Sequence, residues 1–162
     1  MITASQSEQK LRIEYTFDAP RTQVFEAWIN PEYLKQWYAP SGCTLKIKSY
    51  DPVSGGSFHM CINNPEYGDC WTIGEFVKVE KPEKIVQRMV MSDEKGKPVD
   101  PKVLGMHPNW PQETLLTITF EDMDGKTKMI LEQEVNENLA KKTGAYPSWI
   151  QMFDRLNESF AS

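Results

Sequence analysis

The sequence has few of the residues that build metal centres and nucleophilic sites. Its 162 residues include three cysteines and two histidines. Cys43, Cys61 and Cys70 are odd in number and show no Cys-x-x-Cys spacing, so we predict free thiols in a reducing compartment. A Gly-x-Ser-x-Gly motif, which positions the serine nucleophile of many hydrolases, is also missing.

Long apolar runs and clusters of basic residues are missing as well. No apolar stretch approaches the roughly 18 residues that span a bilayer, and residues 1–10 lack the apolar core of a secretory signal. The net charge is −5, whereas phosphate binding needs clustered Lys and Arg. We therefore predict a cytoplasmic protein without nucleic-acid or membrane partners. A polar N-terminal extension over residues 1–10 would precede one domain over residues 11–162.

Large apolar side chains, by contrast, are abundant. The chain holds five Trp, six Tyr, seven Phe and eight Met, and 40% of its residues are hydrophobic. This composition is typical of a globular protein with a well-formed core. Aromatic and Met side chains fill cores, but they also line adaptable ligand pockets.

The N-terminal part of the chain predicts one strand followed by two helices. Residues 11–17 alternate apolar and polar, which indicates a half-buried strand. A first helix is expected after Pro20. Asn30 suits the N-cap of a second helix, with Pro31 at its first position, and Pro40 ends it.

The rest of the chain predicts six strands and a long final helix. Strands are expected over residues 44–50, 57–62, 70–79, 85–91, 114–120 and 126–135. Residues 92–112 carry four prolines and no clear period, so they are predicted to form a long loop. Apolar residues at helical spacing give the last helix a single stripe, made of Trp149, Met152, Phe153, Leu156 and Phe160.

This order of elements predicts an α+β fold. One antiparallel sheet of about seven strands would curve around the C-terminal helix, with two short helices after the first strand. A curved sheet leaves space beneath a long helix. We therefore expect an apolar cavity between the two.

Several segments in this order resemble a known family. They are FDAPR at 17–21, VFEAW at 24–28, GGSF at 55–58, GEFV at 74–77 and KPEKIV at 81–86. Together with the last helix, they resemble the proteins related to the activator of Hsp90 ATPase, within the START/Bet v 1-like (SRPBCC) superfamily. The matching positions extend from about Leu11 to Leu156.

The resemblance implies a helix-grip fold with a cavity between the sheet and the C-terminal helix. It implies no common set of catalytic residues, because relatives include lipid carriers, hormone receptors, polyketide cyclases and self-sacrifice resistance proteins. The eukaryotic co-chaperone has an additional N-terminal domain for which this chain has no room. We therefore do not expect an Hsp90 complex to be the main role, although it stays open as an alternative.

The candidate ligand-binding residues are large apolar side chains with a few polar ones among them. They are Tyr38, Phe58, Met60, Trp71, Glu75, Gln87, Met89, Met91, His107, Trp110, Trp149, Met152 and Phe153. Each apolar member could equally be plain core. The loop over residues 92–112 could be a lid, with His107 and Trp110 closing over a ligand.

Two polar members carry specific expectations. Glu75 interrupts the apolar positions Trp71, Ile73, Val77 and Val79 of one strand. If that face lines the cavity, Glu75 would be a buried acid or a polar anchor, and otherwise it would be a solvated side chain. On the next strand, its apolar neighbours favour Gln87 rather than Arg88 as the inward residue.

We weighed two further kinds of site. His59, Cys61 and Cys70 could bind zinc or form a Cys/His catalytic pair, but the spacing of recognised sites is missing, so ordinary strand residues are favoured. We predict a binding protein for a small apolar or aromatic molecule, with no cofactor and no metal. A cyclase or hydrolase with one acid or base in the pocket, and a chaperone-linked interaction protein, remain alternatives. A homodimer stays open.

Overall fold

The computed structural model describes residues 9–104 and 106–160. The strands are β1 (Lys10–Phe17), β2 (Thr44–Tyr50), β3 (Ser57–Asn64), β4 (Gly68–Glu80), β5 (Lys84–Ser92), β6 (Glu113–Met123) and β7 (Lys126–Asn136). The helices are α1 (Arg21–Ile29), α2 (Pro31–Trp37), α3 (Glu137–Thr143) and α4 (Ala145–Phe160), and a short 3₁₀ helix covers Pro101–Leu104. The predicted α+β helix-grip fold is confirmed.

The seven strands form one antiparallel sheet in the order β1-β7-β6-β5-β4-β3-β2. The chain enters at one edge, β1, and reaches the opposite edge, β2, through α1 and α2. That connection must cross one face of the sheet, and α1 contacts β6 and β7 on the way. The long helix α4 lies on the same face and contacts α2 and β1. The helices and the inner face of the sheet therefore enclose the core.

The predicted apolar stripe of α4 faces this core. Trp149, Met152, Phe153 and Leu156 are buried. On the sheet, Leu11, Ile13 and Phe17 are buried at alternate positions of β1, as the period of two requires. Burial of each such side chain contributes about 1.5–3 kcal/mol, so the alternation decides which face of the sheet meets the helix.

Polar residues in the middle of α4 bind it to neighbouring elements. Arg155 Nη1 donates to the carbonyl oxygen of Ala39 at 2.5 Å, and the backbone N–H of Ser41 donates to Gln151 Oε1 at 3.1 Å. The Tyr15 hydroxyl donates to the carboxylate of Asp154. These contacts hold the helix against β1 and the α2–β2 loop, and they fix the width of the space beneath it.

The helix α3 was not predicted. The Asn136 side chain accepts a hydrogen bond from the backbone N–H of Leu139 at 3.0 Å, which caps the helix N-terminus. Gly144 ends it with φ of 90°, a conformation that glycine adopts without a steric penalty. This short helix follows β7 directly, and the sequence analysis did not separate the two elements. The capping residue Asn136 and the terminating Gly144 are both present in the sequence.

A β-bulge in β4 makes the predicted face of that strand wrong. The pairing with β5 shifts between Phe76 and Lys78, so Val77 is an extra residue and the alternation changes there. Phe76 is fully buried and Val77 is exposed. Before the bulge, Trp71, Ile73 and Glu75 therefore face outward, opposite to the inward-facing Phe76.

The predicted N-terminal extension lies largely outside the described residues. Lys10 already belongs to β1, where it pairs with Asn136 of β7. The division into an extension and one domain over residues 11–162 stays a prediction.

Candidate functional site

A cavity of about 240 Å³ lies between the inner face of the sheet and α4. Seven strands bent around one helix form a space that the side chains do not fill. The predicted site residues in its wall are Tyr38, Met60, Met89, Met91, Trp110, Trp149 and Met152. Most of this wall is apolar, as the abundance of Met and Trp indicates.

Three predicted residues lie on the inner side but behind the wall. The Phe58 ring packs against Phe76, with ring centres 5.6 Å apart, and fills the closed end near β2. The Phe153 ring stacks on Trp149 at 5.7 Å and faces Phe17. Gln87 points inward as expected and is only 2% exposed, but it does not line the cavity.

Gln87 has an unusual environment. Its Oε1 atom is buried and finds no hydrogen-bond partner within residues 9–104 and 106–160. Leaving a buried polar atom unpaired costs about 1–3 kcal/mol. The residue is therefore a local cost to folding.

Two predicted residues, Trp71 and Glu75, lie on the outer face of the sheet. The Trp71 ring packs against His59 at 5.0 Å, and the ammonium of Lys48 lies 5.1 Å from its centre. Glu75 is exposed and pairs with Arg88. Because the bulge at Val77 reverses the alternation, neither side chain reaches the cavity, and Glu75 is a solvated side chain.

The loop over residues 93–112 covers one end of the cavity. It is held to β5 by a hydrogen bond from the Met91 N–H to the Gln112 carbonyl and by another from the Val99 N–H to the Met91 carbonyl, each 3.0 Å. Trp110 lines the cavity as predicted, together with Met106 and Pro111. Movement of this loop as a lid stays a prediction.

His107, the other predicted lid residue, does not line the cavity. Its Nδ1 accepts a hydrogen bond from the backbone N–H of Asn109 at 3.0 Å. The imidazole thus shapes the turn before Trp110. This bond helps to set the conformation of the loop that carries Trp110.

A short polar chain in the wall was missed by the sequence analysis. Trp149 Nε1 donates to Gln133 Oε1 at 3.2 Å, and Gln133 Nε2 donates to Thr114 Oγ1 at 3.2 Å. Both Gln133 and Thr114 are 5% exposed. The alternation of β7 contained the signal, since Gln133 occupies an inward position between Leu131 and Val135.

The ionisable residues that border the cavity are few, and their raised pKa values keep them neutral. They are Tyr38, Cys70 and Cys61, the last with its side chain on the outer face opposite Trp71. Burial raises the pKa of the Tyr38 phenol and of the Cys70 thiol. It also raises the pKa of Cys61 to about 11, with a further contribution from the carboxylate of Asp69. Among the described residues of the wall there is no carboxylate, imidazole, ammonium or guanidinium.

A family model described as Activator of Hsp90 ATPase homolog 1-like protein matches residues 18–161. This chain belongs to that family. The match covers the four helices, strands β2 to β7 and the cavity wall described above, and it begins directly after β1. It confirms the resemblance that the sequence motifs indicated.

Solved structures with the same fold come from several bacteria. A Staphylococcus epidermidis protein is 23% identical, with a TM-score of 0.77 over 97% of this chain and 92% of its own. A Mycobacterium smegmatis protein is 17% identical, with a TM-score of 0.80 over 99% and 96% of the two chains. At these identities the likeness shows the fold alone. A search of curated proteins finds no significant match.

The described residues give little support to the alternative of a metal or Cys/His site at His59, Cys61 and Cys70. In the β3–β4 pairing, Ile62 lies opposite Cys70 and His59 opposite Ile73, which places Cys70 on the inner face and His59 on the outer. The sheet therefore separates the Cys70 thiol from the His59 imidazole, whereas Cys61, opposite Trp71, lies on the outer face with His59. The part of the chain that the structure describes holds no group of three or more His, Cys, Asp or Glu that could bind a metal ion.

Membrane insertion through a helix finds no support either. None of the helices in the described ranges is both long enough and apolar enough to cross a bilayer. The longest, α4, has 16 residues, fewer than the roughly 20 that a spanning helix needs.

Proposed function

We propose that this family member binds a small, uncharged, apolar or aromatic molecule between its sheet and α4. The observation that carries the proposal is the unfilled space itself. The cavity measures about 240 Å³, whereas an engineered apolar cavity of about 150 Å³ binds benzene. The available volume suits a molecule of one or two rings.

The wall can supply the affinity by excluding water from such a ligand. Burial of roughly 300 Å² of apolar ligand surface would contribute about 7.5 kcal/mol before the costs of ordering. Met60, Met89, Met91 and Met152 are flexible and polarisable, so the wall can adjust to different ring shapes. Trp110 and Trp149 offer flat faces for stacking.

Binding is better supported than acid–base catalysis. A cyclase or hydrolase of this kind needs a group that exchanges protons near neutral pH. Among the described residues that border the cavity, the ionisable groups are two thiols and one phenol, and burial raises the pKa of all three. Ligand binding needs no proton transfer, so it is compatible with thiols and a phenol that stay neutral.

Equilibrium dialysis against naphthalene tests the proposal, alongside mass spectrometry of an organic extract of the purified protein. The key variant is Thr72→Phe, which puts a ring into the cavity from β4. Thr117→Phe is the matched control, because Thr117 lies between the buried residues Leu116 and Ile118 of β6 and faces outward.

We expect saturable binding by the wild-type protein and by Thr117→Phe. Thr72→Phe should weaken binding at least tenfold while remaining folded by circular dichroism. The proposal fails if the wild-type protein shows no saturable uptake, or if the filled variant takes up naphthalene as well as the control does.

A further inference from the structure

The hydrogen-bond directions in the cavity wall determine which ligand chemistry it can recognise. An indole N–H can only donate. The Trp149–Gln133 contact, 3.2 Å between Nε1 and Oε1, therefore fixes the amide so that its oxygen faces the indole. The amide nitrogen must then face Thr114.

The next contact in the chain follows from this orientation. Gln133 Nε2 lies 3.2 Å from Thr114 Oγ1 and carries only hydrogens. Thr114 Oγ1 is consequently the acceptor in this bond. The hydroxyl proton of Thr114 and the second amide hydrogen of Gln133 are not used in these two hydrogen bonds. Neither hydrogen has a partner among the described residues.

A second hydroxyl-bearing residue, Tyr38, borders the cavity next to Trp149. The Tyr38 ring packs edge-on against Trp149, with ring centres 5.8 Å apart, and Tyr38 is 4% exposed. In the described ranges its hydroxyl has no hydrogen-bond partner. Tyr38, Gln133 and Thr114 thus bring unused donor hydrogens to one part of an otherwise apolar wall.

Acceptor capacity in the wall is weak by comparison. The oxygen of Gln133 is already engaged by Trp149. Gln112 has an amide oxygen, but it is exposed at the mouth of the cavity. The hydroxyls of Thr72 and Ser148 can act in either direction. A buried ligand donor would therefore depend on hydroxyl lone pairs and on the second lone pair of Gln133 Oε1.

We infer that the cavity selects uncharged ring compounds that present a hydrogen-bond acceptor, such as a ketone oxygen, to Thr114, Gln133 and Tyr38. This inference rests on the proposed binding function and specifies its ligand class. A carboxylate would enter a wall that has no cation to pair with it. A hydrocarbon would leave the buried donors unpaired. A ketone satisfies them without bringing a charge.

Three probes of nearly equal shape test this inference: 2-acetylnaphthalene, 2-ethylnaphthalene and 2-naphthoate. Equilibrium dialysis of each is compared for the wild-type protein and two variants. Thr114→Val removes the free hydroxyl while keeping the shape. Thr117→Val makes the same change three residues along β6, on the outer face.

We expect the ketone to bind roughly five- to tenfold more tightly than the ethyl compound, since one net hydrogen bond contributes about that much. Thr114→Val should reduce this preference, because the ketone loses one of its three donors while 2-ethylnaphthalene loses none. Thr117→Val should alter neither. The naphthoate should bind more weakly than both.

The outcomes separate the two proposals. Equal binding of the ketone and the ethyl compound overturns the inference that the cavity selects hydrogen-bond acceptors, but it supports binding in an apolar cavity. A preference for the ketone that is undiminished in Thr114→Val also overturns the inference. If no probe binds the wild-type protein, the proposed function fails as well.

Discussion

Gly74 of β4 lies directly across the ladder from Phe58 of β3, and a Cβ atom on Gly74 would overlap the Phe58 ring. The missing side chain lets this ring cover the sheet and meet Phe76. Phe58 thereby closes one end of the inner space and stays out of the cavity wall.

Replacement of Gly74 by alanine should therefore destabilise the fold. The added methyl group would meet both the Phe58 ring and the carbonyl oxygen of Arg88. Overpacking of this kind costs about 1–3 kcal/mol. Urea unfolding followed by circular dichroism measures the effect. Ser57→Ala, at an exposed position beside Phe58, is the control and should change stability by less than about 0.5 kcal/mol. An unchanged midpoint for Gly74→Ala would show that the sheet yields freely at this point.

The two buried inward-facing glutamines should respond in opposite ways to replacement by methionine. Gln133 holds the Trp149 indole and Thr114, so Gln133→Met leaves a buried N–H without its acceptor and should cost about 1–3 kcal/mol. Gln87 has an unpaired Oε1. Gln87→Met should be neutral or stabilising by up to about 1 kcal/mol. Urea unfolding of both variants checks this, and equal losses would contradict it.

The strand periodicity predicted the inner faces of most of the sheet. Met60 of β3 and Met89 and Met91 of β5 occupy inward positions of their strands and line the cavity, because burial on one face imposes a period of two. The inward position of Gln87 followed from the same rule. Apolar patterning alone was sufficient for these residues.

The pattern fails where the pairing is irregular. The bulge at Val77 shifts the register by one residue, and the sequence around it is apolar at consecutive positions. Trp71 and Glu75 were therefore placed on the wrong face. A bulge depends on how two distant strands pair, and the sequence of β4 alone does not contain that information.

Periodicity also cannot separate a cavity wall from solid core. Met152 lines the cavity, whereas its neighbour Phe153 packs between Trp149 and Phe17. Both belong to the same apolar stripe of α4. Which of them borders empty space depends on the ring positions of residues far away in the chain. The cavity residues were consequently predictable as a set but not one by one.

Cys70 should react slowly with iodoacetamide at neutral pH. Burial raises the pKa of its thiol, and only the thiolate is reactive. The rate should rise about tenfold per pH unit while the thiol remains mostly protonated. Mass spectrometry after timed alkylation locates the modified residue.

A cavity ligand should slow this reaction further, because the Cys70 side chain lines the same space. Saturating naphthalene is expected to reduce the rate several-fold. The variant Thr72→Phe should reduce it without any ligand. Fast alkylation of Cys70 at neutral pH, insensitive to both, would place the thiol in open solvent.

Three tyrosines should make the fold sensitive to alkali. Burial raises the pKa of Tyr38 and Tyr50, and burial together with the Asp154 hydrogen bond raises that of Tyr15. The unfolded chain releases these protons near pH 10, whereas the folded chain retains them to higher pH. The unfolded state then binds fewer protons, so their contribution to stability is fully present below about pH 10 and is lost as the pH rises further.

Two Phe variants distinguish this ionisation effect from ordinary hydrogen bonding. The Tyr50 hydroxyl donates to the Trp28 carbonyl at 2.5 Å, so Tyr50→Phe should cost about 1 kcal/mol at neutral pH. Tyr38 has no such bond within the described residues. Tyr38→Phe should leave neutral-pH stability within about 0.5 kcal/mol and move alkaline unfolding to higher pH. Urea midpoints across the alkaline range, with phenolate absorbance as a second signal, measure both effects. If Tyr38→Phe unfolds at the same alkaline pH as the wild-type protein, the Tyr38 phenol ionises without unfolding and the cavity admits water at that position.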